Sequence, residues 1–328
     1  MMENIHNKLF FFTLLLSLFM LYIANNNFYG KNNSTSCVKY SIKYIYEPDK
    51  KYNYILSEPK TNDKRLLKLR TFMGKNKNIH TYVKNNVQFC NKKNLANLLK
   101  KYSAVNICPS SYSFPEDYPR YESECKNKKM ILKSNTQRQE GLFITTNIQS
   151  KKFIEEEKII VAQEYIQDCI EYNNHRLAFR LWLIILCTKN YVSGYVGKDG
   201  LVYYNNNADP NISSFYGSYE LYDKGYPIVI SDLDKQNIIM PLLINKLKDL
   251  MNVIKKENNI NDNNDDVYIE MFGVDLHMTN DNKSYVLEIN RGPGMTSYSE
   301  KDDKIRSKML KGYIDLIHNK KNDFLHLL

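Results

Sequence analysis

The sequence predicts an α+β fold. Three observations carry that prediction. Short runs rich in β-branched and aromatic residues recur along the chain, amphipathic helix patterns lie between them, and no repeat period is present. At 328 residues the chain is long enough for two compact domains or one large one.

Taken in order, KKNLANLLKKY (Lys92 to Tyr102) predicts a helix, with Leu95, Leu98, Leu99 and Tyr102 on one face and the lysines off it. CPSSYSFPEDYP (Cys108 to Pro119) contains three prolines and predicts an extended loop. MILK (Met130 to Lys133) and EGLFIT (Glu140 to Thr145) predict strands joined by the polar loop SNTQRQ. KIIVAQEYI (Lys158 to Ile166) and LAFRLWLIILC (Leu177 to Cys187) are strand-like, and YVSGYVGKDGLVYYN predicts a strand pair around Lys198-Asp199-Gly200. Helices are expected over Ile238 to Ile254 and Ser307 to Ile317. The acidic stretch Asn261 to Asp266 lacks the central glycine and closing Glu of a calcium loop, so it reads as a solvated loop.

Leu9 to Ala24 is uncharged and almost wholly apolar. It is short against the roughly 20 residues of a bilayer span and long for a signal-peptide core. No small-x-small cleavage site follows, so residues 9–24 are expected to be an uncleaved membrane anchor, the alternative being a cleaved signal and a secretory route. Lys8 precedes the segment while Lys31, Lys39 and Lys43 follow it, which places the body of the chain in the cytoplasm.

The net charge of +10 favours anionic partners. No zinc-finger spacing or RNP-like aromatic motif is present, so nucleic acid is not expected. The six cysteines are scattered without a C-x-x-C pair, which argues against a metal site or a disulfide framework built on them.

The chemistry concentrates in YIEMFGVDLHMTNDNKSYVLEINRGPG (Tyr268 to Gly294). If Asp281-Asn282 is a two-residue hairpin tip, Asp275 faces Glu288, and Asn290 shares the face of Glu288. Two carboxylates so close among apolar neighbours repel unless a cation joins them. A small set of oxygen ligands suits Mg²⁺ shared with phosphates. Lys133, ending a strand before a polar loop, can reach a phosphate; Arg176 and Arg180, four apart in a strand, offer donors for phosphate or carboxylate.

These residues resemble those of the tubulin–tyrosine ligase family, whose catalytic domain has the ATP-grasp fold. The likeness spans Val83 to Ile317 in five motifs: KKNLANLL with CPSSYSFPEDY, ILKSNTQRQEGLFIT, VAQEYI, HRLAFRLWLII, and MFGVDLHM with YVLEINRGPG. After the hydrophobic segment (1–24) and a polar, Tyr-rich linker (25–60), it implies a smaller N-terminal α/β subdomain (61–125) and an ATP-grasp catalytic domain (126–320). By the same resemblance Lys133 contacts the ATP phosphates. Gln163, Glu164, Tyr165 and Ile166 hold adenine, Asp275, Glu288 and Asn290 hold Mg²⁺, and Arg180, with Arg176 in a lysine's place, serves the acyl-phosphate or acceptor. Ala178 stands where the family has an acidic residue and Tyr203 where it has an arginine, while Asn211 to Ser214 is the nearest match to its His-Leu-Thr-Asn segment. The implied reaction is ATP-dependent joining of a free amino acid to a carboxylate of a protein or peptide, with the acidic tubulin tail as the family's acceptor. The alternatives are a small-molecule or non-tubulin acceptor, and a non-catalytic nucleotide-binding membrane module.

Overall fold

The structure, a computed structural model, describes residues 53–55, 78–80, 82–135, 141–172, 175–204, 228–258, 266–291, 300–317 and 322–328. The apolar segment 9–24, the acidic loop at 261–265 and the stretch 211–214 lie outside these residues. No described helix is long and apolar enough to cross a membrane.

The strands in chain order are β1 (Asn53–Ile55), β2 (Asn78–His80), β3 (Ser111–Ser113), β4 (Met130–Ser134), β5 (Leu142–Thr145), β6 (Ile159–Glu164) and β7 (Glu171–Tyr172). There follow β8 (His175–Cys187), β9 (Val192–Val196), β10 (Leu201–Tyr204), β11 (Ile228–Val229), β12 (Val267–Met278), β13 (Ser284–Arg291) and β14 (Leu325–His326). The helices are α1 (Val87–Cys90), α2 (Lys92–Lys101), α3 (Tyr118–Glu124), α4 (Lys151–Glu156), α5 (Gln236–Glu257) and α6 (Glu300–Ile317).

Two sheets result. A small antiparallel sheet runs β3-β6-β4-β5, and a larger mixed sheet is centred on β12 and β8, with β13 against β12. β8 explains its own composition. Leu177, Phe179, Leu181, Leu183 and Ile185 enter a core shared with Ile239, Leu243, Leu247 and Leu250 of α5. Trp182, Ile184 and Leu186 enter a second core with Met309, Leu310 and Tyr313 of α6. A strand covered on both faces reads as a continuous apolar run, because alternation requires one wet face. Truncating one of these side chains, Leu181 for example, would cost about 2–5 kcal/mol.

The predicted strands are present, with three differences in detail. β9 and β10 do not pair with each other. Both lie along one side of β8, β9 opposite Leu183–Cys187 and β10 opposite Leu177–Arg180. The proline-rich loop contains β3 and the start of α3, where Pro119 sits in the first turn, a position whose N–H no helix uses. α6 begins at Glu300, two turns before the apolar pattern that announces it.

Candidate active site

The hairpin of β12 and β13 brings Asp275 and Glu288 together, by a route the residue spacing does not predict. The tip is wider than two residues: Thr279 N–H donates to the Lys283 carbonyl at 2.8 Å. Asn282 closes the turn in the left-handed region at φ 64°, which asparagine tolerates. That tip pairs Met278 with Ser284 and Leu276 with Val286, a register in which Asp275 would miss Glu288 by one. A β-bulge between Asp275 and Leu276 absorbs the extra residue, Leu287, and restores the Asp275–Glu288 pair. Bulges re-aim side chains in this way beside functional sites.

Asp275 is also the cross-strand partner of Arg180 on its other side. The guanidinium forks onto it, Nε to Oδ1 at 2.5 Å and the terminal nitrogen to Oδ2 at 2.8 Å. The Asn290 amide donates to Asp275 Oδ2 and to Glu288 Oε1, both at 3.0 Å. Directly opposed residues share a face, so Arg180, Asp275, Glu288 and Asn290 form one polar patch on the face that α6 covers further along.

The two carboxyls are not equivalent. Burial, against the pull of Arg180 and with the repulsion of Glu288, raises Asp275 to about 6. Burial also works to raise Glu288, but Lys92, the Asn290 amide and Lys133 outweigh it and hold that carboxyl below its ordinary value. Burial opposes the charge of Arg180, and Asp275 more than compensates, so the guanidinium stays protonated.

The small sheet supplies the facing wall. Lys133 is buried on β4, and its Nζ donates to Gln163 Oε1 on β6 at 2.6 Å. Gln163 in turn donates to the Ser111 hydroxyl at 3.0 Å. Burial lowers the Lys133 pKa, with Glu288 as the chief opposing influence. A narrow cleft between the walls is lined by Lys92, Lys133, Gln163 and the bulged Leu287.

The sequence reading does not single out Lys92, treating it as a solvated lysine. Its position at the first turn of α2, held in place by the Asn91 cap, turns it toward Glu288 instead. The signal available was its spacing, three residues before Leu95 and seven before Leu99, which sets it at the edge of the buried face.

Around Tyr165 the backbone and Arg176 are already engaged. Glu164 and Tyr165 N–H groups already donate to the Ser110 and Lys129 carbonyls at 2.8 and 2.9 Å. Arg176 lies over the Tyr165 ring at 4.4 Å and donates to the Tyr165 hydroxyl, the Ile166 carbonyl and Cys169 Sγ. Its Nε is buried with no partner among the described residues. The His277 ring, on the Asp275 face, lies 3.3 Å from Cys169, and burial together with Arg176 and Lys133 depresses it to about 3, leaving it neutral. The sequence groups Arg176 with Arg180; the structure places its guanidinium against Tyr165 and Ile166, away from Asp275.

Chemically, the donor set fits a metal–phosphate ligand. Asp275, Glu288 and Asn290 could offer a few oxygens to one cation, and Lys133 and Lys92 could meet anionic oxygens. No cluster of three or more His, Cys, Asp or Glu side chains able to hold a metal exists among the described residues, so a cation here would need ligands from phosphate or water.

The chain matches the family profile described as "Tubulin-tyrosine ligase family" over residues 67–208 and 226–323. No curated protein gives a significant match. The family's members are ATP-dependent ligases. With most of its length matched, and with mixed helices and antiparallel sheets consistent with that family's fold, the chain belongs to the tubulin-tyrosine ligase family.

Proposed function

We propose that this protein is an ATP-dependent carboxylate–amine ligase that joins a free amino acid to a carboxylate of a protein or peptide. The observation that carries the reading is the convergence of Arg180, Asp275, Glu288 and Asn290 on one patch facing Lys133 and Lys92. Asp275, Glu288 and Asn290 would hold Mg²⁺, which when bound would neutralise phosphate charge. Lys133 and Lys92 hold phosphate oxygens. Gln163 keeps Lys133 aimed into the cleft, and the 163–166 segment with Arg176 borders the base. The acceptor carboxylate takes the γ-phosphoryl group, releasing ADP. The amino acid's amine then attacks the acyl carbon, forming the amide and expelling phosphate. Arg180 orients the phosphorylated carboxylate, and its permanent charge stabilises the transfer without exchanging a proton.

Acidic protein tails such as those of tubulin suit the net charge of +10. Residues 9–24 tether the enzyme to a membrane with its catalytic part in the cytoplasm. Ala178 and Tyr203, which differ from the family pattern on the acceptor side, favour a second reading in which the same chemistry serves a non-tubulin acceptor.

The test is incubation of the full chain with Mg-ATP, tubulin and labelled amino acids, following ADP release and label on protein by mass spectrometry. Label on tubulin supports the first reading. ADP release with label elsewhere supports the second. Bound nucleotide without ADP release in any mixture defeats both.

A further inference from the structure

The two turns of α6 that the apolar pattern does not announce carry Asp302 and Arg306, and both are buried. Arg306 Nε donates to Asp302 Oδ1 at 2.5 Å, and its guanidinium lies 5.7 Å from the centre of the Trp182 ring. A terminal nitrogen donates to the Tyr203 hydroxyl at 3.3 Å. The ring of that same tyrosine is faced by the Arg180 guanidinium at 5.9 Å, within the range in which a cation and an aromatic face attract.

These contacts join into a line along one face of the large sheet: Asp302, Arg306, Tyr203, Arg180, Asp275. The line lies on a boundary. Beyond Trp182 the face is sealed by Met309, Leu310 and Tyr313 of α6; before it lies the polar patch of the candidate site. A buried ion pair is a poor way to seal a core, because desolvation consumes most of its attraction and apolar residues would serve as well. An ion pair retained at this boundary, with one hydrogen bond directed at the tyrosine beneath Arg180, calls for another role. Ala178, directly opposite Tyr203 in the register, adds only a methyl group beside the ring.

We propose that Arg306, fixed by Asp302, is a positioning residue for Arg180. It anchors the Tyr203 hydroxyl so that the phenol face holds the Arg180 guanidinium in line with its fork onto Asp275. The family resemblance places an arginine at position 203; here a tyrosine stands there, and the arginine that holds it comes from α6. This inference rests on the proposal that Arg180 serves the reaction, and its test separates the two.

The test uses the full chain with Tyr203→Phe, Arg306→Gln, Arg306→Lys and the double variant Tyr203→Phe/Arg306→Gln. The direct readout is the Nε–H resonance of Arg180 in arginine-labelled protein, assigned with Arg180→Lys. Tyr203→Phe keeps the ring and removes only the anchored hydroxyl, so it remains informative if Arg306→Gln fails to fold. The expected result is that both single variants shift this resonance and speed its exchange with solvent, that the double variant does no more than either, and that Arg306→Lys recovers part of the loss. ADP release from Mg-ATP with tubulin and amino acids should fall about 10- to 100-fold in kcat, with the KM for ATP unchanged. An unmoved Arg180 resonance in Tyr203→Phe, or effects that simply add, would overturn the proposal. If the wild-type chain releases no ADP while the resonance still moves, the positioning stands and the ligase reading falls.

Discussion

Arg180→Met isolates what the guanidinium does for the carboxylates. Asp275 and Glu288 accept from one Asn290 nitrogen at 3.0 Å each, which keeps their nearest oxygens within about 6 Å. At about 5 Å and an effective dielectric near 20, two such charges repel by ~3 kcal/mol. Arg180 now offsets that repulsion through its fork onto Asp275. Removing it leaves the folded state with a carboxyl pair whose proton affinity rises further above the unfolded value than the present Asp275 value of about 6. The folded variant therefore binds more protons than the unfolded chain. Relative to wild type, its stability is retained below about pH 4, the ordinary carboxylate range, and lost as pH rises through 6 and beyond. At roughly 2.1 cal/mol/K of unfolding entropy per residue, ~3 kcal/mol corresponds to a Tm drop of about 4 °C for a chain of 328 residues. Thermal unfolding followed by circular dichroism at pH 5 and pH 8, with EDTA or with 10 mM-scale Mg²⁺, reads this directly. The drop should be large at pH 8 in EDTA, smaller at pH 5, and partly reversed by Mg²⁺ at pH 8. An equal drop under all conditions would refute the reasoning and reduce Arg180 to a packing residue.

Other outcomes follow from single contacts. Lys133→Met should weaken Mg-AMP-PNP binding about 10- to 100-fold by calorimetry, since the proposed charge-assisted phosphate contact would be lost and Gln163 loses its donor. Glu270, buried on β12, accepts from the Val83 N–H at 2.8 Å and the Asn86 amide at 2.7 Å, and burial raises its pKa. Glu270→Gln should therefore be near neutral in denaturant unfolding and gain relative to wild type as pH rises above the ordinary carboxylate range, whereas Glu270→Ala should cost about 1–3 kcal/mol by orphaning those donors. Gly200→Ala would place a Cβ 2.4 Å from Leu181 Cδ2 and 2.7 Å from the Arg180 carbonyl, so it should lower stability by about 1–3 kcal/mol and disturb the strand at Arg180.

Much of this site was legible in the sequence, for uneven reasons. The facing of Asp275 and Glu288 is correct although the two-residue tip that implied it is not, because a wider turn and a one-residue bulge cancel. Spacing arguments cannot see a bulge, since it costs no residue-type signature at Leu287. Arg176 and Arg180 share a face as the four-residue spacing requires, yet the Ile166 carbonyl captures one and Asp275 the other. Periodicity could not assign them, because it orders residues along a strand and not against the neighbouring sheet. The early turns of α6 escaped because EKDDKIR carries little apolar pattern; there the buried face is made by an ion pair. Lys92 escaped for a related reason: grouping the lysines of α2 together overlooks that Lys92, seven residues before Leu99, lies at the edge of the apolar face and so borders the cleft.

The central claim, that the carboxylate–amide patch grips a metal-bound nucleotide opposite Lys133, is tested most directly by calorimetric titration of the full chain with AMP-PNP, in Mg²⁺ and in EDTA, for wild type and Glu288→Gln. The account predicts tight binding by wild type only with Mg²⁺, and a Glu288→Gln protein that stays folded but loses the metal-dependent share of affinity. Wild-type binding that ignores Mg²⁺, or a Glu288→Gln protein that keeps the full metal effect, would contradict it.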